Sequence, residues 1–253
     1  MESSASSPRV RKQPEERREE ILSAAASIAL DEGLERITLR AVATRLGVRP
    51  GLISHYFPAA EDLVDEAFTR AAEVERERFF PTEGTPVERL AHFVGHIRSG
   101  ASLPLARLWL NARHLSRFTP SLDATLSEQD ALDRARLRAI IEGGIASDDF
   151  ADVDAEAASI RILIAVDGEG SYVNSSDDLT HPSHVDFVAD VAEWTLGLAP
   201  GTLAATAAQA AGATRPNGDQ TSQTGADTSN DSPLDRDDRA GGPAPTTTSP
   251  TRT

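Results

Sequence analysis

Residues 38–57 read Thr-Leu-Arg-Ala-Val-Ala-Thr-Arg-Leu-Gly-Val-Arg-Pro-Gly-Leu-Ile-Ser-His-Tyr-Phe, and their spacing decides the fold. Thr38 is a good helix N-cap, and Val42, Ala43 and Leu46 fall on one helical face, so a short amphipathic helix runs from Leu39 to about Leu46. Gly47 stops it. Pro50 suits the first turn of a second helix, where its missing N–H would be unpaired in any case, and Ile53 and Phe57 give that helix an apolar side. The pattern is helix, tight turn, helix.

At about 100° per residue, an inward Ile53 turns Gly51, Leu52, Ser54 and His55 outward and leaves Tyr56 near the boundary. A face that presents a hydroxyl, an imidazole, a phenol and bare backbone can enter a DNA major groove and reach base edges and phosphates. A surface hairpin in an all-α domain has the same periodicity, so the pattern alone leaves both readings open.

Upstream, Ile21, Leu22, Ala25, Ile28 and Ala29 repeat with helical spacing between Pro14 and Glu32, and Gly33 is expected to close that helix as a left-handed cap. Three short helices then share a core of Ile21, Leu22, Ile28, Leu39, Val42, Leu46, Ile53 and Phe57. Residues 1–13 are polar, Ser-rich and basic, and are expected to be a disordered arm. Downstream of Pro58, Glu61–Phe80 reads as a connector helix with Leu63, Val64, Ala67, Phe68, Ala71 and Val74 on one side. A unit of this size is too small to be robust alone, so the connector is expected to support it.

The chain of 253 residues has no cysteine, hence no disulfide, thiolate metal site or thiol nucleophile. No signal peptide or membrane span is expected, which points to a cytoplasmic protein without a membrane partner. The net charge of -15 would argue against nucleic acid if it were spread evenly. It is not: residues 1–58 hold nine basic and eight acidic side chains, whereas residues 59–199 hold twelve and twenty-six. Arg36, Arg40, Arg45 and Arg49 surround the hairpin, so the local field still admits phosphate.

The rest reads as a helical bundle. Thr85-Pro86-Val87-Glu88 is a capping box that starts a helix ending near Gly100, and Leu103–Phe118 carries Leu105, Leu108, Trp109, Ala112 and Leu115 on its apolar side. Leu122–Ile145 alternates charges on solvated faces, with Gly143 and Gly144 fraying its end. Ala155–Tyr172 and His184–Leu198 hold more apolar surface than one core needs, which fits either a homodimer interface or a buried central helix of a monomer. From Pro200 onward large apolar residues nearly vanish, and a disordered tail is expected.

Arg18–Phe80 resembles the N-terminal domain of the TetR family of bacterial transcriptional regulators. The resemblance rests on the first helix ending in Gly33, Thr-Leu-Arg-Ala-Val-Ala at 38–43, Leu-Gly-Val at 46–48, Gly51, and His-Tyr-Phe at 55–57. Leu105-Ala-Arg-Leu-Trp109, Asp167-Gly168 and the helix count resemble the C-terminal domain of the BetI-like branch. The resemblance implies an all-α homodimer of about nine helices per chain that reads a palindromic DNA operator. Its expected parts are the basic arm (1–13), a helix-turn-helix domain (14–60), a ligand-binding and dimerisation domain (61–199) and the tail (200–253).

By position, the resemblance implies DNA contacts from Thr38, Arg40, Arg49, Pro50, Gly51, Leu52, Ser54, His55 and Tyr56. Ala59 and Ala60 stand where many members carry Ser or Asn followed by Lys, so one phosphate contact is missing. Arg49 replaces a frequent Ser cap and brings charge instead. His92, His96, Trp109, Asn111, Arg113, His114 and Phe118 lie on the middle helices, where the family builds its effector pocket. Ile160, Leu163, Ile164, Asp167, Phe187, Val191 and Trp194 are the expected dimer contacts.

His92 and His96 are spaced as a metal-binding pair, but no third ligand is evident, so no metal or other cofactor is expected. There is no nucleophile elbow, phosphate loop or dinucleotide fingerprint, and the chain is not read as an enzyme. The expected function is a ligand-responsive DNA-binding regulator, by family default a repressor released when an unidentified small-molecule effector tilts the 61–80 connector. A helical enzyme or small-molecule carrier with a hairpin that does not bind DNA is the alternative.

Overall fold

The hydroxyl of Thr38 accepts the Ala41 N–H at 3.0 Å, the Asp154 carboxylate accepts the Ala157 N–H at 3.0 Å, and Thr85 and Glu88 close their capping box. Local chemistry thus starts helices where the sequence marks them. The computed structural model describes residues 13–175 and 180–213; apart from Gln13 the expected basic arm lies outside the described residues, as does the expected tail beyond residue 213.

The described residues are all helical or loop. The helices are α1 (Pro14–Glu32), α2 (Leu39–Leu46), α3 (Pro50–Tyr56), α4 (Ala60–Phe79), α5 (Pro86–Arg98), α6 (Leu103–Ser116), α7 (Pro120–Ala146), α8 (Ala155–Gly170), α9 (Pro182–Val185), α10 (Phe187–Leu196) and α11 (Thr202–Ala213). A 3-10 turn, Leu34–Arg36, joins α1 to α2. None of these helices is long and apolar enough to cross a membrane.

Two helices exceed the expected count of about nine. The segment expected as a single helix at His184–Leu198 is divided at Asp186, whose φ of -97° and ψ of 2° leave helical geometry after the four-residue α9. The other addition, α11, occupies the start of the segment expected to be a disordered tail. Glu193 holds it: its carboxylate accepts the Gly201 and Leu203 N–H groups, both at 2.7 Å, satisfying donors that a helix start leaves open. Leu203 is fully buried, and Ala207 lies so close to Gly95 of α5 that a Cβ there would stand 3.2 Å from it. Alanine supplies helix propensity and close approach, so large apolar residues are not needed.

Smaller differences have local causes. Gly33 takes φ 108° and ψ 157° rather than the left-handed helical geometry expected, yet its N–H still reaches the Ile28 and Ala29 carbonyls. Gly144 does not fray α7. The Phe150 ring packs so tightly on it that a Cβ would overlap at 2.1 Å.

Two apolar cores result. The first joins α1, α2 and α3 through Ile21, Ile28, Val42, Ile53 and Phe57, and it also takes Leu63 and Phe68 from α4, Leu108 and Ala112 from α6, and Leu122 from α7. Leu39 and Leu46 are only half-buried at its edge, and Val74, expected on the apolar side of α4, is exposed. The second core gathers Phe79, Phe93, Leu137, Ile141, Ile162 and Leu196. Helices α4 and α6 thus reach from the N-terminal unit into the larger bundle.

Candidate functional site

The turn between α2 and α3 is built by Gly47, which sits at φ 64° and ψ 33° in the left-handed region that a Cβ disfavours. Its N–H and that of Val48 close the end of α2 on the Ala43 carbonyl. Pro50 then opens α3. Ile53 and Phe57 anchor this helix from behind at 0% and 1% exposure, and the Arg18 guanidinium, itself paired with Glu66, lies 4.9 Å from the centre of the Phe57 ring. Arg18 and Glu66 were missed in the sequence because their separation hides a contact that only the packing of α1 on α4 creates.

On the opposite side Arg49, Pro50, Gly51, Ser54 and His55 are exposed, whereas Leu52 and Tyr56 are half-buried. The Ser54 hydroxyl donates to the Gly51 carbonyl at 3.3 Å, and the His55 and Tyr56 rings meet edge to face at 5.3 Å. Arg49 occupies the N-cap position without a side-chain cap bond. Arg40 is exposed, and its guanidinium has no partner among the described residues. Arg45, expected to add to the local positive field, instead binds Ser27, Asp31 and Glu32 of α1. The surface is a polar, partly cationic ridge stiffened by an apolar base.

A cavity of about 420 Å³ lies among α4, α5, α6, α7 and α8. Its wall is mostly apolar, with Phe79, Phe80, Phe93, Trp109 and Leu163, and its charged groups are Arg76, Arg113, Asp130, Asp133, Asp167 and Glu169. Arg76 pairs with Asp133 and also donates to the Gln129 side chain at 2.7 Å. Arg113 bridges Asp130 and Asp167 at 3.2 and 2.8 Å. Burial pushes the Asp133 carboxyl up to about 6 despite Arg76, and pushes Glu169, which has no cation to oppose it, up to about 7.

Of the seven effector candidates read from the sequence, Trp109 and Arg113 line this cavity; His92, His96, Asn111, His114 and Phe118 do not. His92 is exposed with its Nε2 2.8 Å from the Arg78 carbonyl, and His96 meets the Phe79 ring edge to face at 4.6 Å, where burial lowers its pKa. His114 and Phe118 face solvent, the latter at 70% exposure. Asn111 points the other way and accepts the Leu34 N–H at 2.8 Å, beside the first core. Helical periodicity placed six of the seven on helices α5 and α6, whereas Phe118 lies in the turn after α6, which ends at Ser116; it could not say which side the cavity occupies. Among the described residues no cluster of three His, Cys, Asp or Glu could hold a metal ion.

The residues expected at a dimer interface divide as well. Trp194 is 79% and Ile164 64% exposed, with Ile160 and Phe187 less so and Leu163 and Val191 half-buried. Asp167 departs from this group, since it sits on the cavity wall and is held by Arg113.

Comparison with known proteins follows this geometry. Residues 21–67 match the family model described as bacterial regulatory proteins, tetR family. The HTH-type transcriptional repressor KstR of Mycolicibacterium smegmatis is 38% identical over 85 residues, covering 32% of this chain and 42% of that repressor. KstR of Mycobacterium tuberculosis is 35% identical over 85 residues, covering 32% and 39%. The chain thus spans about two fifths of the length of the curated relatives it matches. A transcriptional regulator from Saccharomonospora viridis, solved in complex with choline, superposes with a TM-score of 0.60 at 22% identity over 71% of this chain and 96% of that one. A TetR transcriptional regulator from Chloroflexus aurantiacus gives 0.60 at 24% identity over 73% and 96%. At these identities the structural likeness is one of fold, and the family match is confined to residues 21–67, which run from α1 into α4.

Proposed function

We propose that this chain is a TetR-family, DNA-binding transcriptional regulator, most simply a repressor, that grips a palindromic operator as a homodimer and lets go when a small molecule fills the cavity. The observation that carries the reading is the outward ridge from Arg49 to His55, left open to solvent while Ile53 and Phe57 are sealed behind it. An exposed polar helix on a rigid base is what major-groove entry requires. Thr38, Arg40 and Arg49 are assigned to phosphates, and Gly51, Ser54, His55 and Tyr56 to groove edges.

Neither Ser54 nor His55 makes the bidentate base contact worth about 1–3 kcal/mol of discrimination, so phosphates supply much of the affinity. Dimerisation is assigned to the exposed apolar face of α8 and α10 around Ile164 and Trp194. A chromosomal regulator of this bacterial family works in the cytoplasm. We further assign the C-terminal half to a BetI-like arrangement, on the Leu105–Trp109 run and the Asp167-Gly168 pair, whose Trp109 and Asp167 both face the cavity.

Release requires that the effector bind one arrangement of the helices better than the other. Two helices join cavity to DNA-reading unit. Helix α4 carries Ala72, Arg76 and Phe79 on the cavity and Phe68 in the first core, while α6 carries Trp109 and Arg113 on the cavity and Leu108 and Ala112 in the first core. The Trp109 and Phe68 rings meet edge to face at 5.2 Å, so a ligand that moves Trp109 presses directly on the core beneath α3. The connector mechanism read from the sequence therefore gains a second lever in α6.

Footprinting of the purified chain on DNA flanking its own gene, with parallel selection from random duplexes, tests the reading. A protected inverted repeat recovered by both is the expected result. Selection that enriches no sequence would leave the cavity to a small-molecule carrier and remove the regulator.

A further inference from the structure

The charged wall of the cavity is closed in on itself except at one place. Arg76 is taken up by Asp133 and Gln129, and Arg113 by Asp130 and Asp167. Glu169 is left over: its Oε2 is buried on the cavity wall and has no hydrogen-bond partner among the described residues. A buried carboxylate oxygen without a donor is costly, and no cation in the wall remains to relieve it. Glu169 also lies in the last turn of α8, where the negative end of the helix dipole adds to the same demand for positive charge.

We propose that the cavity takes a singly cationic, otherwise apolar amine whose ammonium group pairs with the Glu169 carboxylate. The proposal rests on the reading of this cavity as the effector site and deepens it by naming the ligand class. The body of such a molecule meets Phe79, Phe80, Trp109 and Leu163, and its single charge meets the single unpaired acid. An anionic ligand would enter a wall with four carboxylates against two guanidinia, both already engaged. A neutral alcohol could donate a hydrogen bond but would leave the buried charge uncancelled. Burial alone holds Glu169 up at about 7, so below that pH an ammonium must displace the carboxyl proton as it binds, and amine binding strengthens as the pH rises towards 7.

Decylamine, decan-1-ol and decanoate share one apolar body and differ only in the head group, and calorimetry on the full chain compares them directly. Protonated decylamine is expected to bind roughly tenfold or more tightly than decan-1-ol, as a charge-assisted hydrogen bond requires, with decanoate weakest. In Glu169→Gln, which keeps the shape of the wall, the amine-to-alcohol ratio is expected to fall to near one. A preference for decanoate, a ratio near one in the unaltered chain, an absence of amine binding, or a ratio that survives Glu169→Gln each overturns the proposal. Sequence-specific DNA retardation by the same preparation is a separate readout. Its failure sinks the regulator, and an amine that binds without changing retardation sinks the effector role while leaving the Glu169 pairing intact.

Discussion

The side-chain oxygen of Asn111 on α6 accepts the backbone N–H of Leu34 at 2.8 Å, tying the helix that lines the cavity to the 3-10 turn that joins α1 to α2. Leu34 is buried, so no water can replace this acceptor without opening the core. Asn111→Ala is expected to cost about 1–3 kcal/mol, the usual penalty for stranding a buried donor. Thermal melting checks it, at about 2–4 °C per kcal/mol for a chain of this size. Asn111→Asp keeps an acceptor and should recover most of the loss; an equal drop in both variants would show that the bond is not what matters.

Arg40 and Arg45 stand five residues apart on α2 but are in opposite situations. The Arg40 guanidinium is exposed and has no partner among the described residues, whereas Arg45 is held by Asp31 and Glu32. Arg40→Ala is expected to weaken binding to all DNA sequences alike and to make the salt dependence shallower by about one unit. Arg45→Ala should leave that slope alone. Titrations at several salt concentrations decide, and an unchanged slope for Arg40→Ala removes it from the phosphate contacts.

The N-terminal unit was legible because its information is local: Thr38, Gly47, Pro50 and the Ile53–Phe57 pair each do in the structure what their chemistry dictates within one turn of helix. The cavity was not. Asn111 and Arg113 are two residues apart and were expected on one pocket, yet α6 turns the first toward Leu34 and the second toward Asp167. Which side of a doubly packed helix faces a void depends on its neighbours, and Glu169, at the end of α8, carries no sequence signal of its isolation. The exposed apolar face around Trp194 was legible as excess hydrophobicity, because the core that takes Ile162 and Leu196 from the same two helices leaves Ile164 and Trp194 outside it. Helix α11 was hidden for the opposite reason, since alanines packed on Gly95 look like the composition of a tail.

Gly51 allows folding and the proposed DNA contact to be separated in a single substitution. It lies inside α3 with nothing within 4 Å of the place a Cβ would occupy. Gly51→Ala should therefore stabilise the fold by about 0.5–1 kcal/mol through helix propensity. On a face where backbone meets DNA, the same methyl is expected to weaken operator binding by about tenfold. A higher melting temperature with undiminished operator affinity would place the DNA elsewhere.

Trp194 tests the dimer. At 79% exposure it contributes little to its own chain, so Trp194→Asp should leave the melting of the fold within about 0.5 kcal/mol of the original once dissociation is allowed for. A charge at the centre of an apolar interface is nevertheless expected to split the dimer. Sedimentation should then show monomers, and affinity for the palindrome should fall to that for a half-site. If the unaltered chain already sediments as a monomer, the face of α8 and α10 has another use.

Glu169 predicts a pH dependence whose sign follows from its burial. The folded carboxyl is pushed from 4.5 up to about 7, so between those values the folded state holds a proton that the unfolded chain has released. Stability from this group is therefore full at about pH 4 and is lost as pH rises towards about 7. Glu169→Gln mimics the protonated form at every pH. The two proteins should melt together at about pH 4, and at about pH 8 the variant should be more stable by about 1–2 kcal/mol, the larger nominal shift being reduced because the group is partly exposed. Asp133 titrates in the same direction near 6, and Asp130, Asp167, Arg76 and Arg113 share the wall; all are common to both proteins and largely cancel in the comparison. A variant less stable at about pH 8 would mean that the folded chain already supplies Glu169 with positive charge, and the cavity would then have no need of an ammonium.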